Sequence, residues 1–201
     1  MSRRIATVVL AAGMSRRMGQ LKQLLPFGGS TVLRTVLKML QSVSGRGDVV
    51  VVLGHRADEV RKVLPAEVRY VINEAYAEGM FSSVLAGLAS LDEDVEGMLL
   101  LLGDQPQIRA SVVQAVLDRW EQTDKGIVIP EVGGKRGHPI LVDVRRYGEA
   151  IRSLDGSEGM KPIVRGYPED TAVVILGDES ILRDLDTPED YELEIKLRND
   201  A

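Results

Sequence analysis

IATVVLAAGMSRRMGQLKQLLP, residues 5–26, is the stretch on which the fold turns. Its first eight residues, Ile5–Ala12, are apolar except for Thr7. A strand with one wet face alternates apolar and polar residues. A continuously apolar strand is buried on both faces, as in a parallel sheet covered by helices on each side. The run stops at Gly13 and opens into a loop, residues 13–29, punctuated by glycines and Pro26. Outward from it the same pattern recurs at Asp48–Leu53 (DVVVVL), stopped by Gly54, and at Gly97–Leu102 (GMLLLL), stopped by Gly103. Further strands are predicted at Val68–Ile72, Gly126–Pro130, Ile140–Asp143 and Thr171–Leu176, with a turn at Gly133–Gly137.

Helical spacing fills the intervals. Ser30 is the expected cap of a helix with Val32, Leu33, Val36, Leu37, Leu40 and Val43 on one face. A short helix is predicted over Ala57–Leu64. Others carry Phe81, Val84, Leu85 and Leu88, then Val112, Val113, Val116, Leu117 and Trp120. Thr187-Pro188-Glu189-Asp190 opens a late helix, with threonine at the cap, proline in the first turn and an acid at the third position. Strands alternating with helices predict a single α/β domain, residues 1–201, with a mostly parallel sheet and helices on both faces. Such sheets bind ligands at the carboxyl ends of their strands, so the loops after Ala12, Leu53, Ile72 and Leu102 are the places to look.

Composition narrows the chemistry. There are no cysteines, which excludes disulfides, thiolate metal sites and a cysteine nucleophile and fits a reducing, cytoplasmic setting. Two histidines, His55 and His138, are too few for a multi-histidine zinc site. A net charge of −5 argues against nucleic-acid binding, and no apolar run is long enough for a membrane span. Met1-Ser2-Arg3-Arg4 before an apolar run imitates a signal peptide. The run is short, however, Arg16 and Arg17 follow it at once, and no cleavage site follows, so a buried strand is expected. Charge is also unevenly spread. Residues 1–47 carry Arg3, Arg4, Arg16, Arg17, Lys22, Arg34, Lys38 and Arg46 and no acid. This is either a local anion site or a solvated positive face, and charge alone does not choose.

The loop Gly13–Lys22 combines glycine, two arginines and a lysine at the end of the first strand. Glycine lets backbone N–H groups approach an anion, and the cations supply charge-assisted bonds to phosphate oxygens. It is neither a Walker A loop nor a G-x-G-x-x-G dinucleotide fingerprint. An ordinary turn with solvated arginines is the alternative. Gly103-Asp104-Gln105-Pro106 puts a carboxylate, a hard ligand suited to Mg2+, at the edge of the most apolar strand, where it could equally cap the next helix.

LAAGMSRRMGQLKQLLP (Leu10–Pro26) resembles the nucleotidyltransferase signature of the molybdenum cofactor cytidylyltransferase-like family, within the MobA-like NTP transferase superfamily. GMFSSVLAGL (Gly79–Leu88), GDQP (Gly103–Pro106), RGHP (Arg136–Pro139) and DLDTPEDY (Asp184–Tyr191) follow in the family's order. The resemblance implies a Rossmann-like, nucleotide-diphospho-sugar transferase-like fold and transfer of a nucleotidyl group. It implies that Arg17, Lys22 and Asp104 are catalytic, and that Leu10, Ala11, Ala12, Gly13, Arg16 and Ser83 join them around the nucleotide. Ala11 and Ala12 would act through backbone groups, with Ser83 near the base. It implies Mg2+ between Asp104 and an acid before the TPED helix, Asp186 by its position next to Thr187, with Asp184 in reserve. An asparagine commonly stands there in the guanylyltransferase relative.

The expected nucleotide is CTP. LAAG stands where the guanine-using relative commonly has LAGG, and a methyl at Ala12 narrows the space for a purine. The expected acceptor is phosphorylated, such as molybdopterin, with His138 and Lys161 on its side and a molybdenum hydroxylase as a partner downstream. Gly156–Lys161 departs from the family's G-D-x-G-A-R pattern: Ser157 replaces an aspartate, Met160 an alanine and Lys161 an arginine. That puts acceptor identity in doubt more than chemistry. The alternatives are GTP or another nucleotide and acceptor, a glycosyltransferase of related fold (which would usually carry a D-x-D), and a non-catalytic cofactor chaperone.

Overall fold

The computed structural model describes residues 3–200. Met1 and Ser2, the start of the signal-like segment, and Ala201 lie outside the described residues. Strands are β1 (Ile5–Leu10), β2 (Pro26–Phe27), β3 (Ser30–Thr31), β4 (Asp48–Leu53), β5 (Arg69–Ile72), β6 (Gly97–Leu102), β7 (Ile127–Val132), β8 (Lys135–Arg136), β9 (Ile140–Asp143) and β10 (Thr171–Ile175). Helices are α1 (Val32–Gln41), α2 (Ala57–Arg61), α3 (Met80–Ala89), α4 (Ala110–Glu121), α5 (Val144–Arg152), α6 (Lys161–Gly166) and α7 (Pro188–Asn199). The main sheet runs β10-β7-β9-β6-β1-β4-β5, with β8 paired to β7. β2 and β3 form a separate hairpin. Among the described residues no helix is long and apolar enough to cross a membrane.

β1 is central and pairs in parallel with β4 and β6. Its side chains alternate between two cores, which is why the whole strand is apolar. Ile5, Val9 and Ala11 join α1 and α4 on one side, while Val8, Leu10 and Ala12 join α3, α5 and α6 on the other. The sheet is mixed rather than wholly parallel. β9 lies between β6 and β7 and runs antiparallel to both. The connection between β7 and β9 is far shorter than the dozen or more residues a parallel crossover needs, so it forces the reversal.

Local corrections follow from the backbone. Thr31, not Ser30, caps α1, its side chain accepting from the Arg34 N–H at 3.3 Å. α2 ends at Arg61, short of Leu64. The loop over residues 13–29 contains a 3-10 turn at Lys22–Leu24 and reaches the hairpin. The N-cap of α3 is Gly79, with Ser82 and Ser83 in its first turn. The Thr187 box is as expected, with Asp190 returning bonds to the Thr187 N–H and hydroxyl.

Candidate active site

The carboxyl ends of β1 and β6 are joined directly, since the Gly103 N–H donates to the Leu10 carbonyl at 2.8 Å. A Cβ at Gly103 would stand 2.8 Å from that same oxygen, so only glycine permits the approach. The two loops that leave these strands are thereby held side by side.

The first loop is wound on an internal strut. Gln23 is buried, and its Nε2 donates to the Ala11 carbonyl at 3.2 Å and the Gly13 carbonyl at 3.3 Å. Ser15 takes a left-handed backbone (φ 51°), and its hydroxyl accepts from the Lys22 N–H at 3.1 Å. Met18 and Leu21 are buried as anchors. Pinned this way, the loop exposes Arg16 and Arg17 and turns Lys22 inward, its side chain 12% exposed.

Lys22 is the hub. Its Nζ lies against Asp104 Oδ2 and 3.1 Å from Asp186 Oδ1, and Arg17 reaches Asp186 Oδ2 at 2.7 Å. Burial alone would lower the lysine pKa, but Asp104 and Asp186 outweigh it and raise it above the ordinary value. Burial would likewise raise the Asp186 carboxyl, yet Lys22 and Arg17 hold it below the usual carboxylate range. Asp184 behaves oppositely. Burial and the charges of Asp104 and Asp186 push its pKa up, against a 2.8 Å hydrogen bond from Gln105 Nε2.

Two amides of the Asp104 loop fix the segment that carries these acids. Gln105 also donates to the Arg183 carbonyl at 3.2 Å, and Gln107 donates to the carbonyls of Ser180 and Arg183 at 3.3 and 2.5 Å. The α7 capping box holds the Asp186 backbone, whose N–H donates to Asp190 Oδ2 at 3.2 Å. Arg17, Lys22, Asp104 and Asp186 are thus brought together, and Asp184 stands beside them. Among the described residues no set of three or more His, Cys, Asp or Glu side chains is arranged to hold a metal alone. Magnesium needs only one or two carboxylates and takes its other ligands from water and substrate phosphate. Two carboxylates that face one ammonium are close enough to share one cation, so their donor chemistry fits such an ion.

The remaining sequence candidates divide. Leu10 and Ala11 are buried at the end of β1, and Gly13 is exposed beside them. The Ala11 N–H donates to the Val52 carbonyl at 2.9 Å, and the Ala12 carbonyl accepts from the His55 N–H at 3.1 Å, so much of this backbone already serves the fold. The Ala12 methyl is buried against Gly54. Ser83 is buried and bonded to Asn73. His138 lies within electrostatic reach of Asp104; burial lowers its pKa against the Leu100 backbone and that carboxylate. Arg16 is exposed, its guanidinium 3.4 Å from the Met14 sulfur and away from the acids. Lys161 is exposed at the start of α6 and joins none of these contacts. His55 tilts against Tyr76 with ring centroids 5.7 Å apart, a packing role. Sequence reasoning missed Gln23, Asn73, Gln105 and Gln107. Their one signal was an amide beside a motif residue. Cavities of about 780 and 690 Å³ lie around the β2–β3 hairpin and α7. Convergence of charge, not concavity, marks the site.

Residues 7–172 match the MobA-like NTP transferase domain. The chain belongs to that family. A molybdenum cofactor cytidylyltransferase of Escherichia coli (strain K12) is 29% identical over 189 residues, 93% of each chain. A nicotine blue oxidoreductase of Paenarthrobacter nicotinovorans is 30% identical over 197 residues, 92% of this chain and 93% of its own. The crystal structure of Rv0371c from Mycobacterium tuberculosis H37Rv matches with a TM-score of 0.83 at 28% identity, covering 98% of this chain and 100% of that one. The manganese complex of Rv0371c matches with a TM-score of 0.79 at 27% identity, covering 96% and 98%. The family assignment makes this chain a nucleotidyltransferase homologue with the predicted α/β fold.

Proposed function

We propose that the protein transfers a cytidylyl group from CTP to the phosphate of a molybdopterin-type acceptor, releasing pyrophosphate. The observation that carries this reading is the single ammonium of Lys22 shared by Asp104 and Asp186. A site that reacts two phosphate compounds needs both a cation for the triphosphate and acids for a divalent ion, and here they meet at one atom. The likeness to a cytidylyltransferase supports CTP and a molybdenum-cofactor acceptor. The absence of a dinucleotide fingerprint in the first loop weighs against the redox chemistry named for the other relative.

In this reading an acceptor phosphate oxygen attacks the α-phosphorus, a new P–O bond forms, and the bond to the β-phosphate oxygen breaks. Lys22 and Arg17 bind the triphosphate oxygens and stabilise charge on the departing pyrophosphate. Arg17, 68% exposed at its side chain, is free to turn from Asp186 to the nucleotide. Asp104 and Asp186 would hold Mg2+, with Asp184 the alternative second acid. When bound, the ion supplies neutralising charge to the phosphates. Leu10, Ala11, Ala12 and Gly13 border the nucleotide, with Arg16 supplying longer-range positive charge. Ser83 meets the base. His138, kept neutral by burial, offers a hydrogen bond on the acceptor side, and Lys161 supplies charge at its rim. The cytoplasm is the proposed compartment, with a molybdenum hydroxylase as the recipient of the product.

Incubation with Mg2+, mixed nucleoside triphosphates and molybdopterin, followed by mass spectrometry, tests the reading. The expected product is the cytosine dinucleotide with one pyrophosphate per turnover. A guanine dinucleotide, or a product formed on a different acceptor, would replace it. Tight pterin binding without turnover would favour a chaperone.

A further inference from the structure

A closed hydrogen-bond network at the end of β5 has no part in the contacts around Lys22. Asn73 is buried, and its N–H extends the β4–β5 ladder by donating to the Leu53 carbonyl at 2.7 Å. Its Oδ1 accepts from the Ala75 N–H at 3.0 Å, which fixes the orientation of the amide. Both protons of Nδ2 are then assigned, one to Ser82 Oγ at 2.8 Å and one to Ser83 Oγ at 3.0 Å. Ser82 spends its own proton on the carbonyls of Ala75 and Gly79, at 2.9 and 2.8 Å. Ser83 is different. It accepts from Asn73, and among the described residues its hydroxyl donates to nothing.

The first turn of α3, which carries Ser83, packs at the carboxyl edge of the sheet. Phe81 and Val84 share a core with Leu10, Ala12 and Leu102. With one of its two lone pairs engaged by Asn73, the Ser83 hydroxyl keeps its only proton uncommitted, ready to be given to a partner on its other side. We infer that Asn73 is a positioning residue for the nucleotide base: it orients the Ser83 hydroxyl so that its proton is available to an acceptor on the ring edge, such as the C2 carbonyl or N3 of cytosine. This rests on the proposed contact between Ser83 and the base.

The test compares Asn73→Asp with Asn73→Ala. The carboxylate keeps the bond to the Ala75 N–H but cannot donate, so Ser83 must turn its proton toward position 73 and its lone pairs toward the base. Alanine merely frees the hydroxyl. The expected order is therefore a KM for CTP raised more than tenfold by Asn73→Asp and several-fold by Asn73→Ala, with kcat changed less, since one net hydrogen bond is worth a factor of about ten. Melting temperature should fall in the reverse order, because only alanine loses the turn at Ala75. Ser83→Ala should raise the KM by itself, and adding Asn73→Asp to it should change nothing further.

A larger KM effect from alanine than from aspartate, or additive effects in the double variant, would overturn the inference and leave the function standing. An unchanged KM in Ser83→Ala removes the base contact and the inference with it. A wild type that ignores CTP refutes the function itself.

Discussion

Replacing Lys22 with methionine separates what the ammonium does for the fold from what it does for the nucleotide. The side chain keeps its length and loses its charge. Lys22 is 12% exposed, Asp104 17% and Asp186 36%, so the ion pairs are partly screened. Two unit charges at contact distance interact by about 4 kcal/mol at an effective dielectric of about 20, and Lys22 makes two such contacts. Desolvation of the ammonium returns several kcal/mol. Stranding one partner of a fully buried pair costs about 3–5 kcal/mol. Asp186 retains Arg17 and considerable solvent, so the expected loss is about 2–3 kcal/mol. For a chain of this size that is a fall in Tm of about 4–12 °C.

The same change leaves Asp104 and Asp186 facing each other with no cation between them. Manganese at about ten times its dissociation constant should then recover about 1.4 kcal/mol in the variant. The wild type should respond much less, because Lys22 competes for both acids. Thermal unfolding monitored by circular dichroism with and without MnCl2 measures both effects. A Tm equal to wild type, or the same manganese shift in both proteins, would refute the idea that Lys22 and the ion compete for the same two carboxylates.

Asp104→Asn should lower pyrophosphate release by about 10²–10³-fold or more with the circular dichroism spectrum unchanged. Asp186→Asn should cost more turnover than Asp184→Asn, and the opposite ranking would move the second carboxylate to position 184. Gln105→Leu removes the bonds to the Arg183 carbonyl and Asp184. It should raise the KM for nucleotide about tenfold and speed amide exchange over residues 183–190; unchanged exchange would mean that Gln107 alone holds the segment.

Burial would raise the Asp170 carboxyl pKa, but the hydroxyl of Tyr147, the Gly126 backbone and Arg146 hold it below the ordinary range. Its contribution is present above about pH 4 and is lost as pH falls through the lowered folded value. Asp170→Asn should therefore cost about 1 kcal/mol at pH 7 in urea denaturation and less at about pH 2, where the carboxylate is lost as pH falls through its lowered value. An equal deficit at both pH values would assign the effect to packing.

The strands that build the site were legible because burial on two faces leaves an unbroken apolar run, as in DVVVVL and GMLLLL. The direction of β9 was legible in principle, from the shortness of the link after β7. α5 escaped notice. Its sequence, VRRYGEAIR, is nearly half charged, and Tyr147 and Ile151 are its large buried apolar side chains after the Asp143 cap. The charged members of the site were visible as residue types, but their meeting was not. The Lys22–Asp186 contact spans 164 positions, and no local pattern encodes it. The amides were least visible. Gln23, Asn73 and Gln105 matter for the partners the fold brings to them, and a place within or near a motif is all that sets them apart from surface glutamines and asparagines.

Asp186 lies beyond residue 172, where the match to the shared domain ends, and it is aligned by a helix that follows it. During synthesis the central strands can assemble while this acid is still inside the ribosome exit tunnel. In the nascent chain Lys22 would then have Asp104 as its one carboxylate partner, on a loop still missing the Leu185, Tyr191 and Ile195 side chains that Met18 and Leu25 pack against. The cluster of four side chains would be completed only with α7, so a ribosome stalled before that helix emerges would display an assembled sheet that lacks Asp186 and the packing of Leu185, Tyr191 and Ile195 under the first loop.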